Sequence, residues 1–428
     1  MPEDRLQTVS ASPPLAPAKT ARFHPGWFVV LAAGLVFFFQ SGMAGYLLGV
    51  FQPAWLAEFG WPQTWLSSAF ALGSLLPGLT GVLVGRWTDR YGPRLIIVCG
   101  ALLAGLGYIL LAGVQSFAVF CVAYGIGAIG RCGMSQVPAS AAIARWFVGR
   151  RALAMGLAST GISLAGIILV PLATWLILSF GWRTAVVVVG IAVWAVVLPV
   201  VWFAMAGTPS ERGVQPYGSA AASPPPASGD ATLGIALRDT TFWLLAIGQM
   251  LGHAGSLSIG IHAQNAIIDK GAGAAEAATA ISLMALCALL SRFLYSWLGD
   301  LLPAAPLLAW CFFLQGVGYA LLALTAPGPG VWAFAIVYGL SLGGSVALQA
   351  VVIIERYGVR GYGAILGALG LPMTFASAIS PVVAAAGYDA TGSYTGPFLG
   401  FGVLAVCGAI CYLAAYLSGH RRPPGRSR

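Results

Sequence analysis

Arg131 and Arg292 carry the strongest charges in the most apolar surroundings of this chain. Arg131 lies midway through the apolar run from Phe117 to Ala144, and Arg292 lies inside the run from Ala275 to Gly299. No Asp or Glu stands near the middle of either run. A cation at mid-membrane costs at least ~2.5–3.5 kcal/mol on insertion scales, so it is usually kept for a task. With no acid to neutralise it, the missing partner is a mobile anion, and a guanidinium fork suits a carboxylate. The pattern points to carriage of a small organic anion. Arg131 has about thirteen helical residues on either side, ~20 Å, too far to reach the interface. A competing reading makes it a cap on carbonyls freed near a break at Pro138. Arg292 is about seven residues, ~10 Å, from the end of its run, where pairing with a neighbouring helix is easier.

Other groups at this depth could shape a binding cavity. His253 and His262 share one run with Gly252, Gly255 and Gly260. Nine residues at 100° each place the two rings on opposite faces of a regular helix, so one cavity holds both only if the glycines break it. His253 is the candidate for a cavity role, and both histidines are candidates for a proton site. Polar groups that could add shape and hydrogen bonds are Gln40, Tyr46, Tyr124, Gln136, Tyr338 and Gln349. Each could equally be an interhelical bond. The seven cysteines lie in apolar runs without metal-ligand spacing and read as packing residues. No nucleophile–base pair or metal set is present, so neither an enzyme nor a bound cofactor or metal is expected.

The elements that must position these groups are spanning helices. The chain of 428 residues is 59% hydrophobic and 8% charged, with mean hydropathy +0.87. Soluble domains carry about 25% charged residues, so this is an integral membrane protein of the all-α class. Its net charge of +9 is spread over tails and short loops, which excludes a nucleic-acid surface. Twelve apolar runs are long enough to span: 27–50, 63–84, 95–114, 117–144, 152–179, 183–205, 241–267, 275–299, 304–326, 330–354, 361–386 and 395–417. The first is too long for a signal peptide. The expected organisation is an N-terminal tail (1–26), a six-helix bundle (27–206), a Ser/Ala/Pro-rich linker (207–240), a second six-helix bundle (241–417) and a basic tail (418–428). With both termini cytoplasmic, inside segments hold seventeen Lys and Arg and outside loops two, Arg183 and Lys270. That asymmetry supports this orientation in a cell inner or plasma membrane.

The halves echo each other. Gly85-Arg86-Trp87-Thr88-Asp89 and Ser296-Trp297-Leu298-Gly299-Asp300 stand 211 positions apart, as do Arg145-Trp146 and Arg356-Tyr357. Such repeats mark secondary transporters that hold substrate between halves at mid-membrane. Gly85-x-x-x-Asp89-Arg90-x-Gly92-x-Arg94 resembles the cytoplasmic loop motif of the major facilitator superfamily. Its glycines suit a tight turn, and Asp89 can accept bonds from a helix N-terminus or a neighbouring Arg as a latch between helices. In the second half only Asp300 survives, so a matching latch there is expected to be weaker.

The segment from Arg145 to Gly161 resembles the fourth-to-fifth-helix segment of monocarboxylate transporters and oxalate:formate antiporters. In those families an arginine of the eighth helix binds the substrate carboxylate, and Arg292 matches it. The acid one turn before that arginine in the animal transporters is here Ala288. The lysines that those relatives carry in the first or eleventh helix have no counterpart here. The resemblance implies a twelve-helix carrier in two pseudo-symmetric bundles, working by alternating access, and expected as a monomer in the bilayer. The implied cargo is a lactate- or pyruvate-like monocarboxylate moved with a proton. The alternatives are exchange of dicarboxylates against a counter-anion and, further off, proton-driven drug export. Expected substrate contacts are Arg292, Arg131, His253, Tyr124, Tyr338 and Gln40. Gly85, Asp89, Arg90, Gly92, Arg94 and Asp300 are the expected gating motif.

Overall fold

The computed structural model describes residues 24–205, 207–218, 231–326 and 328–421. Most of both tails and the Ser/Ala/Pro-rich stretch of the linker, 219–230, lie outside the described residues. Eleven described helical stretches are long and apolar enough to cross a membrane. One of them, Arg151–Ala204, has 54 residues. That is about 80 Å of helix against a hydrocarbon core of about 30 Å. It turns at Gly181, whose φ of 82° and ψ of 159° no helix tolerates. It is therefore two spans, and the described residues hold twelve.

These are α1 (Gly26–Phe59), α2 (Gln63–Tyr91), α3 (Pro93–Leu111), α4 (Phe117–Trp146), α5 (151–180), α6 (182–204), α7 (240–269), α8 (Ala274–Leu298), α9 (Ala304–Leu324), α10 (Pro329–Tyr357), α11 (Tyr362–Thr391) and α12 (Thr395–Arg421). They form two six-helix bundles, α1–α6 and α7–α12. Small residues set the packing distances, because lipid offers apolar contact as good as another helix does.

Three helices, α4, α7 and α10, are broken in mid-span, and α1 and α6 each carry a π-turn, α6 at Val193–Val197. α1 contains a π-turn, Gly42–Tyr46. α4 stops at Gly133 and restarts at Gln136, so Pro138 falls in a first turn, where its missing N–H costs little. α7 stops at Gly252 and restarts at Ser256, and α10 stops at Leu342 and restarts at Ser345. Irregular backbone at this depth is tolerated only where it is buried in protein or lines a cavity. The three breaks therefore mark the middle of the molecule as the candidate site.

Candidate functional site

The two bundles are latched together at one end, the end that carries Arg86, Arg90, Arg94, Arg145 and Arg356, called here the basic end. Asp89, at the foot of α2, accepts hydrogen bonds from the backbone N–H groups of Gly363 (3.1 Å) and Ala364 (3.0 Å) in the first turn of α11. Asp300, after α8, accepts from Ala152 (3.0 Å) and Leu153 (3.2 Å) in the first turn of α5. Asp89 and Asp300 stand 211 positions apart, as do Ala152 and Gly363, and Leu153 and Ala364. The repeat thus maps one latch onto the other, and the expected weakness of the second copy is not seen. Each carboxylate sits where unsatisfied N–H groups and the helix dipole favour negative charge. Desolvation pushes the Asp300 carboxyl above its ordinary range, the two amides partly opposing it. The residue as a whole stays exposed, and only its oxygens press against α5.

Backbone proximity completes the closure. A Cβ on Gly85 would lie 2.1 Å from the Gly363 carbonyl oxygen, and one on Gly156 would lie 1.5 Å from the Ser296 hydroxyl. Gly85 is therefore a contact point inside α2. The turn belongs to Gly92, at φ 85° between α2 and α3. Tyr362 of α11 adds a hydroxyl bond to Ser140 of α4, 2.9 Å.

Arg292 also crosses between the bundles. Its Nη1 donates to the Ser159 carbonyl (3.0 Å) and the Ser163 hydroxyl (2.8 Å) of α5. Both acceptors are neutral. Arg131 is 2% exposed, inside the first bundle. Its Nη2 donates to the Tyr124 hydroxyl at 3.2 Å, its guanidinium lies 5.1 Å from that ring's centre, and its Nη1 has no partner. Neither arginine is in an ion pair among the described residues, unlike Arg356, which Asp239 holds at 3.1 Å. Burial alone would raise the Asp239 carboxyl, but the Thr241 amide, the Tyr357 hydroxyl and Arg356 outweigh it and hold it below the usual range.

Between the bundles lies a cavity of about 280 Å3. Its polar wall is Gln40 of α1, Ser135 and Gln136 at the α4 break, Gln349 of α10 and Thr374 of α11. Of the groups singled out in the sequence, Gln40, Gln136 and Gln349 line it. Arg131, Arg292, His253, Tyr124 and Tyr338 do not. The arginines are joined to lining residues through the chain: Arg131 is one turn before Ser135 and reaches back to Tyr124, and Arg292 sits on Ser163, the neighbour in sequence of the lining residue Ile162.

The other groups are dispersed. His253 caps the first half of α7, with Nδ1 3.2 Å from the Gln249 carbonyl and its ring edge-on to Phe312 at 5.2 Å. His262 lies beside Tyr394, 3.4 Å from its hydroxyl. The helix is broken between the histidines, yet the break does not bring them together. Tyr338 is fully buried in the second bundle against the Tyr319 hydroxyl at 3.3 Å. Among the described residues no group of His, Cys, Asp or Glu is arranged to hold a metal.

Sequence reasoning missed Ser159 and Ser163 as partners of Arg292. Neither serine is marked out among many by its sequence context, and a backbone acceptor leaves no mark in a sequence. It missed the pinning of the linker as well. Tyr217 donates its N–H to the Trp146 carbonyl (2.8 Å) and Ala231 to the Tyr357 carbonyl (3.0 Å), two carbonyls related by the same 211-residue repeat.

The latches make a measurable prediction. Hydrogen bonds to charged groups contribute about 1.5–3 kcal/mol each. Asp89→Asn and Asp300→Asn are each expected to shift the closed–open equilibrium of the basic end by about tenfold. The double variant should shift it by about a hundredfold, the sites being independent. Spin-label distances across that end read the populations; an unshifted double variant would remove both carboxylates from the closure.

Comparison with known proteins agrees with this geometry. Residues 31–263 match the sequence profile of the Major Facilitator Superfamily. Monocarboxylate transporter 13 of Bos taurus is 28% identical over 399 residues, 90% of this chain and 88% of that protein. Monocarboxylate transporter 11 of Homo sapiens is 28% identical over 410 residues, 91% and 82% of the two chains. Among solved structures, a crystal structure of the E. coli fucose:proton symporter superposes with a TM-score of 0.67 at 18% identity, covering 91% of this chain and 99% of that one. The proton:xylose symporter XylE gives 0.62 at 14% identity, covering 90% and 94%. The two sugar carriers share the fold.

Proposed function

The chain belongs to the major facilitator superfamily, a transporter and not an enzyme, and on that basis we propose that it carries a small organic anion across the membrane by alternating access. The proposed cargo is a monocarboxylate. The observation that carries this reading is the pair of buried arginines: one has an unpartnered Nη1, the other is held by neutral oxygens, and no acid among the described residues forms an ion pair with either. A carboxylate about 4 Å from a guanidinium gains about 4 kcal/mol at an effective dielectric constant near 20, before desolvation. The named monocarboxylate transporters among its relatives support the same cargo class.

In the proposed cycle the bundles 27–206 and 241–417 rock about the cavity, joined by the linker 207–240. The basic end faces the cytoplasm with both termini, as its arginines favour. The chain works in the cell's inner or plasma membrane as a monomer, and the latches at Asp89 and Asp300 hold the cytoplasmic side shut. Entry of the anion offers Arg292 a charged acceptor in place of the Ser159 carbonyl and Ser163 hydroxyl, which ties filling of the site to release of that contact.

Proton coupling is assigned to His253. Its Nδ1 lies against the Gln249 carbonyl, so Nδ1 carries the hydrogen and Nε2 is the basic atom. The negative charge of a bound anion raises proton affinity, and linkage requires substrate affinity to rise as pH falls. His253→Gln is expected to remove accumulation driven by a pH gradient and to leave anion-for-anion exchange largely intact. Uptake of labelled lactate into liposomes, under a gradient and under counter-loading, separates the two. Full accumulation in the variant would place the proton elsewhere.

A further inference from the structure

The cavity wall itself is neutral, and it is not bare. Three carboxamides reach it from three helices, Gln40 from α1, Gln136 from α4 and Gln349 from α10. Gln349 is 6% exposed, and its amide has no hydrogen-bond partner among the described residues. Gln40 receives only a 3.5 Å contact from the adjacent Ser41 hydroxyl. A carboxamide brings two donors and an acceptor to the cavity, and a ligand that covers them without pairing them loses about 1–3 kcal/mol. Such a group is kept open where something else pairs with it. A carboxylate alone satisfies only the donors. The Gln349 carboxamide oxygen needs a donor, which a carboxylate does not have.

The size of the cavity bears on the same point. At about 30 Å3 per water, 280 Å3 holds roughly nine waters. A three-carbon acid has six heavy atoms and leaves much of that space wet. An apolar tail would fill it at the cost of covering the Gln349 amide. A tail ending in a group that both donates and accepts would fill it and satisfy them.

We infer that Gln349, with Gln40 and Gln136 beside it, is a neutral specificity subsite for an uncharged hydrogen-bonding group on the substrate, remote from its carboxylate. The cargo is then an organic acid with a hydroxyl or amide tail, and plain aliphatic acids are poor substrates. This rests on the carboxylate reading above, but the two can fail separately. Gln349 is a binding residue in this account, and the arginines hold the acid end.

Matched pairs test it: hexanoate against 6-hydroxyhexanoate, and octanoate against 8-hydroxyoctanoate, with hexane-1,6-diol as the uncharged analogue. Binding to the purified full chain is read by isothermal titration and by inhibition of liposome uptake. The hydroxy acids are expected to bind about tenfold more tightly than their parents, the worth of one well-made hydrogen bond to a buried group. Gln349→Met, close in size and flexible, should remove that preference, so that each hydroxy acid and its parent bind alike. A wild-type protein that binds parent and hydroxy acids equally, or a Gln349→Met variant that still discriminates, would overturn the subsite and leave the carboxylate reading standing. Gln349-dependent binding of the diol without binding of any acid would support the subsite and overturn the carboxylate reading. Unchanged melting of Gln349→Met in detergent guards against simple misfolding.

Discussion

Arg292→Lys is expected to lower carboxylate affinity by tenfold or more, and Arg292→Ala to abolish uptake. Lysine keeps the charge and loses the planar fork, so it cannot hold both carboxylate oxygens and gives up at least ~1.4 kcal/mol. Alanine removes the charge that offsets desolvation of the anion. Arg292 has a second task in the structure, because its Nη1 ties α8 to the Ser159 carbonyl and the Ser163 hydroxyl of α5. The alanine variant should therefore also loosen the basic end, whereas a pure binding residue would leave it closed. Inhibition constants for a carboxylate panel and spin-label distances across the basic end read the two tasks separately. Wild-type uptake by Arg292→Ala would remove the residue from the site.

Gly85→Val is expected to stop transport with the fold intact. A Cβ there would meet the Gly363 carbonyl at 2.1 Å, and backbone cannot step aside as a side chain can. The clash lies between the bundles, so each bundle keeps its own packing, and only the state closed at the basic end is lost. The variant should insert and melt like the wild type, bind anion from the basic side, and turn over at a small fraction of the normal rate. Normal turnover would mean that α2 and α11 need not approach this closely during the cycle.

The spans were legible because about twenty apolar residues can do little else. The repeat at 211 residues pointed to both latch carboxylates, yet it understated the second. Asp300 needs only two free N–H groups at the start of α5, and the lost glycine and arginines around it do not supply them. Gly85 read as a turn residue, although the turn needed only Gly92; nothing in a single sequence says that Gly363 lies opposite. Arg131 and Arg292 were legible as unneutralised charge. Their partners were not, since one is a backbone carbonyl and the other a serine among many. The histidines suggested a shared cavity, which the break in α7 permitted without producing it. The glutamines drew little weight, because an amide in a helix is as often a bond between helices, and only the cavity between the bundles distinguishes the two uses.

Uptake by the purified chain in liposomes is the most direct measurement of the central claim. Vesicles with an acidic exterior, and vesicles preloaded with unlabelled acid, are offered a panel of labelled monocarboxylates, beside a labelled sugar and a labelled lipophilic cation. The account predicts saturable carboxylate uptake that exceeds that of the sugar and the cation, rises with the imposed gradient, and disappears in Arg292→Ala. Liposomes that move the sugar or the cation and ignore every carboxylate, with or without a gradient, would contradict it.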